Sequence, residues 1–567
     1  MEGSKFLNVF PKALKHLSSS TLFLILANVG VMLPVFYFMG AKHTRIGFHS
    51  DDYGFIYNGT FHSIQDIKRI FSNGDMISNA DGLWDSSSPL HKPSFFESLY
   101  RPLLLLIMGS EHRIWGLNPY RFHLTHTGLH TIMTLLLLNI IACFSSLWIA
   151  LPIALFFGFH SSLKDYFFWQ CYIQNTCEAL VGFFLVVAFF TWYYRRSRVG
   201  LIISLGLFFI ILLLRETLII FPVLVALWYL YNTSSDAPIL SSLLKGCKAG
   251  LLFFLSILAY LSLRLWAQPL SFDIKNLGIK HFNETPGSSW QHLKLIAGDR
   301  LTWLMDLIGL KWLANGTALL KGSALLLLFL AIFYGWQKTP YKVPALISMT
   351  AILLTSWPSL LLVHCSRYLY LPVYFFSLTI GFLAAGLSIQ KKIIVGTLFL
   401  VYACLQTSIT VPCLTDWCIR TGEEQRLLKE IAEKSNGLGN QESLMVIGLP
   451  SRLFGTGSRA GIKLLGGEQL HRIHFFLPYY TRWEEGLTAS PHYTQEGNSF
   501  FIFSPCPDTT WFEISQSGKV AYGHLEITRT EKGRVIAVQF IPSLSPAQFF
   551  FPRLIFSAAC IKELSHD

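Results

Sequence analysis

The sequence predicts a polytopic α-helical membrane protein, a bundle of about eleven transmembrane helices followed by a small C-terminal α/β domain. The chain has 567 residues, of which 52% are hydrophobic and 14% are charged. A soluble domain carries about 25% charged residues, so this chain has too few to cover a surface that faces water. Its mean hydropathy is +0.45. Burial in a membrane explains this composition.

Long apolar runs recur up to about residue 411, each near the roughly 20 residues that cross a bilayer. The first run, Thr21 to Gly40, is too long for a signal-peptide core, so we predict a retained anchor. A twelfth span at Pro546 to Cys560 is less favoured, because Pro552 and Arg553 interrupt it. The predicted spans are 21–40, 121–143, 145–160, 177–194, 200–214, 217–232, 248–264, 318–336, 343–362, 371–389 and 393–411.

The basic residues predict the orientation of the chain. They cluster in the short gaps between alternate spans, which is the pattern of cytoplasmic loops. The N-terminus is therefore predicted to be cytoplasmic, and the loop 41–120 to be extracytoplasmic. This placement explains the net charge of +12 without a nucleic-acid partner. The clustered residues are Lys5, Lys12, Lys15, Arg195, Arg196, Arg198, Lys245, Lys248, Lys338, Lys342, Lys391 and Lys392.

The chain divides by composition into a transmembrane domain, 1–411, and a soluble domain, 412–567, which we place on the extracytoplasmic side. In the second domain Glu423 to Lys434 has the pattern of a helix. Three runs in the same domain have the pattern of strands: Ser443–Gly448, Ser499–Phe503 and Arg534–Phe540.

Unusual polar groups fall at the outward ends of the predicted odd-numbered spans or in the first external loop. Random placement would put about half of them on the other side. A charge at bilayer depth costs roughly 2.5–3.5 kcal/mol, so such residues usually have partners and a function. The sequence therefore predicts one polar site at the outer membrane boundary. The groups are Asp51, Asp52, Arg101, His160, Asp165, Arg215, Glu216, Arg264 and Arg367.

A site that combines carboxylates with guanidinium groups suits transfer from a phosphate leaving group. A carboxylate can act as general base towards a hydroxyl acceptor. Arginines bind phosphate oxygens through bidentate, charge-assisted hydrogen bonds, and the bilayer edge suits a phosphate carried on a lipid. Attack of a hydroxyl on the anomeric carbon of a lipid-phosphate sugar would invert that centre in a single displacement.

Five motifs at these positions resemble those of GT-C-type integral membrane glycosyltransferases. The nearest pattern is that of the transmembrane O-mannosyltransferases with tetratricopeptide repeats and their bacterial relatives. Protein O-mannosyltransferases and lipid A aminoarabinose transferases are more distantly similar. The motifs are "DDYGFI" at 51–56, "YRPLLLLIMGSEHRIWGLNPYRFHLTHTGLH" at 100–130, "FHSSLKDYFFW" at 159–169, "LLLRETLIIFP" at 212–222 and "SRYLYLP" at 366–372.

The resemblance covers about 1–420, and the sequence departs from the family pattern at several points. Asp165 and Ser366 stand where glutamate is usual, Arg215 replaces a lysine, and Ser161 replaces a proline. The tetratricopeptide repeats are absent, which removes a direct argument that the acceptor is a protein of the kind repeat-bearing members modify.

The resemblance implies a role for each matched residue. Asp51 and Asp52 would be the catalytic acids, with Asp51 as the base and Asp52 supporting it or joining a metal site. Arg101, Arg215 and Arg367 would bind the phosphate of the lipid donor. The supporting polar residues would be Asp165, Glu216, His123, His130, His160 and Tyr368.

The implied donor is a polyprenyl-phosphate sugar, a hexose with mannose as one candidate, and the acceptor is a hydroxyl on a protein, glycan or lipid. The resemblance requires no cofactor, and a divalent cation stays open. The implied location is a bacterial inner membrane, or the endoplasmic reticulum membrane in a eukaryote.

Other interpretations of the same residues stay open at this point. An Asp-Asp pair also suits a turn or helix cap, and Arg215 with Glu216 could anchor a span end. His123, His126 and His130 share one helix face, which suits either hydrogen-bonded packing or a metal. The whole chain could instead be a secondary transporter or flippase for lipid-linked sugars, or a catalytically inactive scaffold.

Overall fold

A computed structural model gives the architecture of the chain. It describes residues 21–49, 51–72, 100–232, 239–267, 303–310, 318–356, 368–439, 442, 444–447, 456–468 and the strands between 473 and 550.

Helices make up the first three quarters of the chain. Leucine-, isoleucine- and phenylalanine-rich runs form helices because a helix satisfies every backbone polar group within the segment. The helices are α1 (Thr21–Phe36), α2 (Asp51–Gly59), α3 (Ile64–Ser72), α4 (Pro102–Trp115), α5 (Pro119–Phe144), α6 (Leu147–Gly158), α7 (Lys164–Phe168), α8 (Ile173–Arg195), α9 (Arg198–Leu214), α10 (Phe221–Asn232), α11 (Ile239–Ala267), α12 (Ala318–Lys338), α13 (Lys342–Thr355), α14 (Tyr370–Ala384), α15 (Ile389–Asn436) and α16 (Thr456–Leu464).

The predicted spans coincide with apolar helices of the structure. Within the described residues, five helical stretches are long and apolar enough to cross a membrane: Leu22–Ala41, Pro119–Phe144, Gln170–Arg195, Leu240–Ala267 and Ile389–Asn436. The other predicted spans overlap shorter apolar helices of 10–17 residues. The chain is thus helical and membrane-embedded in character, and the number of crossings stays a prediction.

A helix begins at Asp51, within the stretch 41–120 that the sequence predicts to be an external loop. The C-terminal end of this helix, α2, packs against α4 through two glycines. A Cβ built on Gly109 of α4 would lie 1.8 Å from the carbonyl oxygen of Gly59. This backbone-to-backbone approach requires glycine at both positions, because the methyl group of an alanine would push the helices apart.

The Gly109→Ala variant is expected to lose stability for this reason. Overpacking typically costs about 1–3 kcal/mol, which outweighs the gain of about 0.5–1 kcal/mol from replacing a helical glycine. Gly206 in α9 is the matched control, since a Cβ there meets nothing within 4 Å. Thermal unfolding of the detergent-solubilised chain should show a lower midpoint than the wild type for Gly109→Ala. The midpoint of Gly206→Ala should not be lowered. Equal midpoints would contradict the close packing of α2 on α4.

The helix predicted at Glu423–Lys434 is the end of α15, which runs without a break for 48 residues. The predicted domain boundary at 411 therefore falls inside a helix. Pro412 does not end it. Proline removes one backbone hydrogen bond, and Leu414 and Trp417 beyond it are buried in the protein. The helix consequently connects an apolar segment to the C-terminal part of the chain without a flexible linker.

Strands follow α15 and form three sheets. One is three-stranded and parallel, with the order β10-β1-β2, and one is a five-stranded antiparallel sheet with the order β4-β5-β9-β8-β7. Strands β3 and β6 pair separately. The three predicted strands coincide with β1, β5 and β9. The strands are β1 (Leu444–Ile447), β2 (Ile473–Phe476), β3 (Tyr479–Tyr480), β4 (His492–Glu496), β5 (Ser499–Ser504), β6 (Thr510–Trp511), β7 (Gly518–Val520), β8 (Gly523–Thr530), β9 (Gly533–Phe540) and β10 (Gln548–Phe550).

Candidate active site

Arg101 and Glu216, which are far apart in the sequence, form an ion pair. Pro102 opens α4 at a position that suits proline, and Arg101 directly precedes it. The Nη2 and Nε atoms of Arg101 donate to one oxygen of Glu216, at 3.3 and 3.4 Å. The other oxygen accepts from the Tyr260 hydroxyl at 2.8 Å and lies 3.7 Å from Nη1 of Arg264. Glu216 is thus the shared counter-ion that orients two arginines.

Arg215 lies beside this pair. It ends α9 with an extended backbone, and its side chain is buried, with 5% of the residue exposed. The guanidinium carbon stands 5.0 Å from the centre of the Tyr368 ring, and Arg101 is close enough to interact electrostatically. Among the described residues, no carboxylate forms an ion pair with Arg215 within 4.0 Å. We call Arg101, Arg215, Glu216, Tyr260, Arg264 and Tyr368 the arginine cluster.

One face of α8 contributes two further polar groups that the motifs did not single out. Gln174 accepts a hydrogen bond from Nη1 of Arg101 at 3.2 Å. Glu178 lies one turn further along the same face, fully buried, and its Oε1 accepts from the backbone N–H of Leu218 at 3.0 Å. Its Oε2 has no hydrogen-bond partner among the described residues. The sequence signal was a pair of polar residues four apart near the start of an apolar helix.

In the described part of the site, the arginine cluster and Glu178 contain more guanidinium groups than carboxylates. Three guanidinium groups face at most two ionised carboxylates, Glu178 and Glu216, within the described part of the chain. Burying an unbalanced charge is costly unless a partner arrives. The cluster is therefore suited to hold an anion.

Asp52 is buried and its carboxylate is fully engaged with backbone groups. Oδ2 accepts from the N–H of His49 at 3.0 Å, and Oδ1 accepts from the N–H of Cys171 at 2.8 Å. The second bond caps the 3-10 turn Gln170–Tyr172 that leads into α8, where a negative charge is favoured. Asp52 thus fixes the turn that carries Gln174 to Arg101. This geometry suits the supporting role better than that of a base.

Burial raises the pKa of Asp52 from its ordinary 3.8 to about 6, although the hydrogen bonds from His49 and Cys171 act in the opposite direction. The folded state then holds this proton more tightly than the unfolded chain. The contribution of Asp52 to stability is consequently full below about pH 4, is lost as the pH rises towards about 6, and is constant above that.

The free energy of unfolding is therefore expected to fall by at most about 3 kcal/mol across this window in the wild type. The Asp52→Asn variant has no such titration, so the stability difference between wild type and variant should decline over the same interval. Thermal unfolding of both proteins at pH values on either side of the window measures this. A difference that is independent of pH would contradict it.

The histidines of α5 share a face but do not share a ligand site. Each imidazole is buried and bonds to a different group. Among the described residues, no group of three histidine, cysteine or acidic side chains could hold a metal ion. Hydrogen-bonded packing therefore accounts for them. The bonds join His123 to the Met39 carbonyl (2.8 Å), His126 to the Glu111 carboxylate (3.1 Å) and His130 to the Tyr370 hydroxyl (3.0 Å).

His160 contributes to a second polar cluster. Its Nδ1 accepts from the N–H of Ser162 at 3.3 Å, and the Ser162 hydroxyl donates to the carbonyl of Asp306 at 2.7 Å. Gln406 of α15 donates to a carbonyl of the same 303–310 segment at 2.8 Å. The turn that begins at His160 thus contacts the 303–310 segment and α15, whereas Arg101 contacts α8 and Arg215 contacts Tyr368.

Three predicted site groups lie outside what the structure describes: Arg367 altogether, and the side chains of Asp51 and Asp165. The expected proximity of Asp51 and Arg367 therefore stays a prediction. The neighbours of these residues are described. Tyr368 stacks on Arg215, and Asp52 contacts the turn before α8.

Comparison with known proteins gives little sequence similarity. No family model matches the chain, and no curated protein matches it. A crystal structure of ArnT from Cupriavidus metallidurans bound to undecaprenyl phosphate is similar with a TM-score of 0.41 and 11% identity, covering 92% of this chain and 99% of that one. The apo structure of the same protein gives 0.43 and 11%, with coverage of 94% and 100%.

Proposed function

We propose that the chain is an integral membrane glycosyltransferase. It moves a sugar from a polyprenyl-phosphate donor to a hydroxyl acceptor on the extracytoplasmic side, by a single inverting displacement.

The main support for this function is that Arg215 is buried without an ion-paired carboxylate among the described residues. A buried guanidinium group normally has a carboxylate partner, because an uncompensated buried charge costs several kcal/mol. Among the described residues, Arg215 has no carboxylate within ion-pair distance and interacts with Glu178 only over a longer range. It lies on the face of Tyr368, next to Arg101, which Glu216 already neutralises. A phosphate oxygen between Arg215 and Arg101 would complete this arrangement, since guanidinium groups match phosphate in geometry and charge.

The proposed reaction breaks the bond between the anomeric carbon and the phosphate oxygen of the donor. The acceptor oxygen attacks the anomeric carbon from the opposite face and loses its proton to Asp51. The bonding electrons leave with the phosphate, whose additional negative charge Arg215 and Arg101 stabilise. Asp52 and Glu216 act on this step indirectly, by fixing the turn before α8 and the orientation of Arg101.

The alternative of a transporter is less well supported. Transporters usually bind substrate near the middle of the membrane, often at discontinuous helices in repeated halves. The arginine cluster instead uses helix ends: Arg215 follows the last residue of α9, Arg101 precedes α4, and Arg264 lies in the last turn of α11. A site built from helix ends suits a reaction at the membrane boundary.

Binding of undecaprenyl phosphate to the full chain in nanodiscs tests the proposal, with undecaprenol as the control ligand that lacks the phosphate. We expect native mass spectrometry to detect the phosphate lipid and not the alcohol. Cells without the protein should also accumulate a sugar-phosphate lipid. Equal retention of both lipids, together with an unchanged glycolipid profile, would contradict the proposal.

A further inference from the structure

A buried histidine–glutamate hydrogen bond joins the segment before α2 to the end of α15. Nδ1 of His49 lies 2.5 Å from Oε2 of Glu424, and both side chains are only 2% exposed. The indole rings of Trp169 and Trp417 flank the imidazole, with ring centres 4.9 and 4.8 Å away. This pair is not a member of the arginine cluster, and the proposed reaction does not use it directly.

The same two segments make a second close contact one helical turn away. The backbone N–H of Gly47 donates to the hydroxyl of Thr421 at 2.8 Å. A Cβ at Gly47 would lie 2.6 Å from the backbone oxygen of Thr421. Thr421 and Glu424 are three residues apart and so share one face of α15. That face therefore fixes both the backbone and the side chain of the segment 46–49.

Helix α16 contacts α2 and the same part of α15. A Cβ built on Gly461 would lie 2.8 Å from the Leu428 side chain and 3.1 Å from the Tyr53 ring. Tyr53 directly follows Asp52 and is fully buried. The first turn of α2 is thus enclosed by groups that follow residue 411.

These contacts reach the proposed active site through the backbone. The N–H of His49 donates to Asp52, and Asp52 in turn accepts from the N–H of Cys171. Gln174, one turn later, accepts from Arg101. Hydrogen bonds, together with the backbone from Cys171 to Gln174, thus connect Glu424 to Arg101.

We propose that His49 and Glu424 are positioning residues for the transfer reaction, by which the end of α15 holds the Asp51–Asp52 motif against the turn before α8. The inference rests on the proposed function. Neither side chain needs to contact the donor or the acceptor. Their pair is desolvated, so loss of either partner leaves an uncompensated buried group and releases the segment 46–49.

Hydrogen exchange in the full chain tests the positioning role without requiring activity. In Glu424→Gln, peptides that cover 46–56 and 169–176 should exchange at least about tenfold faster than in the wild type, because the local opening free energy falls. Glu433→Gln is the matched control, since that glutamate lies on the same helix, pairs with Lys429 and is 67% exposed. Unchanged exchange in Glu424→Gln would overturn the inference.

Kinetics separate positioning from donor binding. We expect kcat of Glu424→Gln to fall about 100-fold, as misplacement of a reacting group by about 1 Å does. Undecaprenyl phosphate affinity should stay within about twofold, because Glu216 still holds Arg101 when the bond to Gln174 is weakened. A parallel loss of both quantities would overturn the positioning role. If the wild type binds no undecaprenyl phosphate, the proposed function fails, and the exchange measurement still decides whether Glu424 holds the motif.

A double variant distinguishes a shared role from two separate defects. His49→Gln combined with Glu424→Gln should lose no more kcat than the worse single variant, because both changes break one contact. Losses that multiply would show that the two residues act separately and would overturn the pair as the positioning device.

Discussion

Replacing Asp51 with asparagine is expected to reduce turnover by about 10²–10⁴-fold, the usual contribution of a general base. Asparagine keeps the shape of the side chain but cannot accept the acceptor's proton. Its neighbour Asp52 is not expected to take over, because that residue is fully buried and both of its oxygens accept backbone hydrogen bonds. Undecaprenyl phosphate should still bind, since the arginine cluster is intact. Single-turnover transfer and lipid binding, measured on the same preparation, check both expectations.

Asp66 provides the control for Asp51. It belongs to the same predicted external loop and caps α3 through hydrogen bonds from the N–H groups of His62 and Ser63. Asp66→Asn therefore alters another acid in the first turn of a helix. We expect near wild-type turnover for that variant. A transporter or an inactive scaffold should be indifferent to both substitutions. Full activity in Asp51→Asn would therefore exclude the proposed base.

Replacing Arg215 with glutamine is expected to weaken undecaprenyl phosphate binding by about 100-fold. A hydrogen bond to a charged group contributes about 1.5–3 kcal/mol, and a guanidinium group offers two such bonds to a phosphate. Arg215→Lys should fall in between, because lysine keeps the charge but loses the planar fork. Titration of nanodiscs with undecaprenyl phosphate gives the three affinities.

Arg196 is the matched control for Arg215. Its guanidinium carbon also lies over a tyrosine ring, 5.9 Å from the centre of Tyr193, but it is exposed at the other end of α9. Arg196→Gln removes the same charge and the same kind of ring contact. It should leave lipid affinity unchanged. A similar loss in both variants would indicate a general effect of charge and would remove Arg215 from the phosphate site.

Much of the fold is readable from the sequence because the membrane imposes a simple rule. Backbone groups in lipid must bond within the segment, so apolar runs of sufficient length form helices. The same reasoning located the polar groups of the arginine cluster, since charged residues are rare in such runs and stand out. Arg101, Arg215 and Glu216 were predicted to meet, and the structure brings them together.

Other features were not readable, because they depend on which surfaces come into contact. Nothing in the local sequence shows that Asp52 bonds to the Cys171 amide, or that Glu424 pairs with a histidine 375 residues away. The predicted boundary at 411 lies inside a helix for a related reason. Composition changes there, but tertiary packing of the following turns keeps α15 helical.

The sequence by itself determined where the apolar helices lie and that acids and arginines accumulate at their ends, because hydropathy and charge are local properties. Tertiary structure alone decided which of those groups neutralise one another. Glu216 forms ion pairs with Arg101 and Arg264, whereas Arg215 contacts the Tyr368 ring and interacts with Glu178 beyond ion-pair distance. That distinction depends on distances of a few ångströms between helices, over which electrostatic energies change steeply.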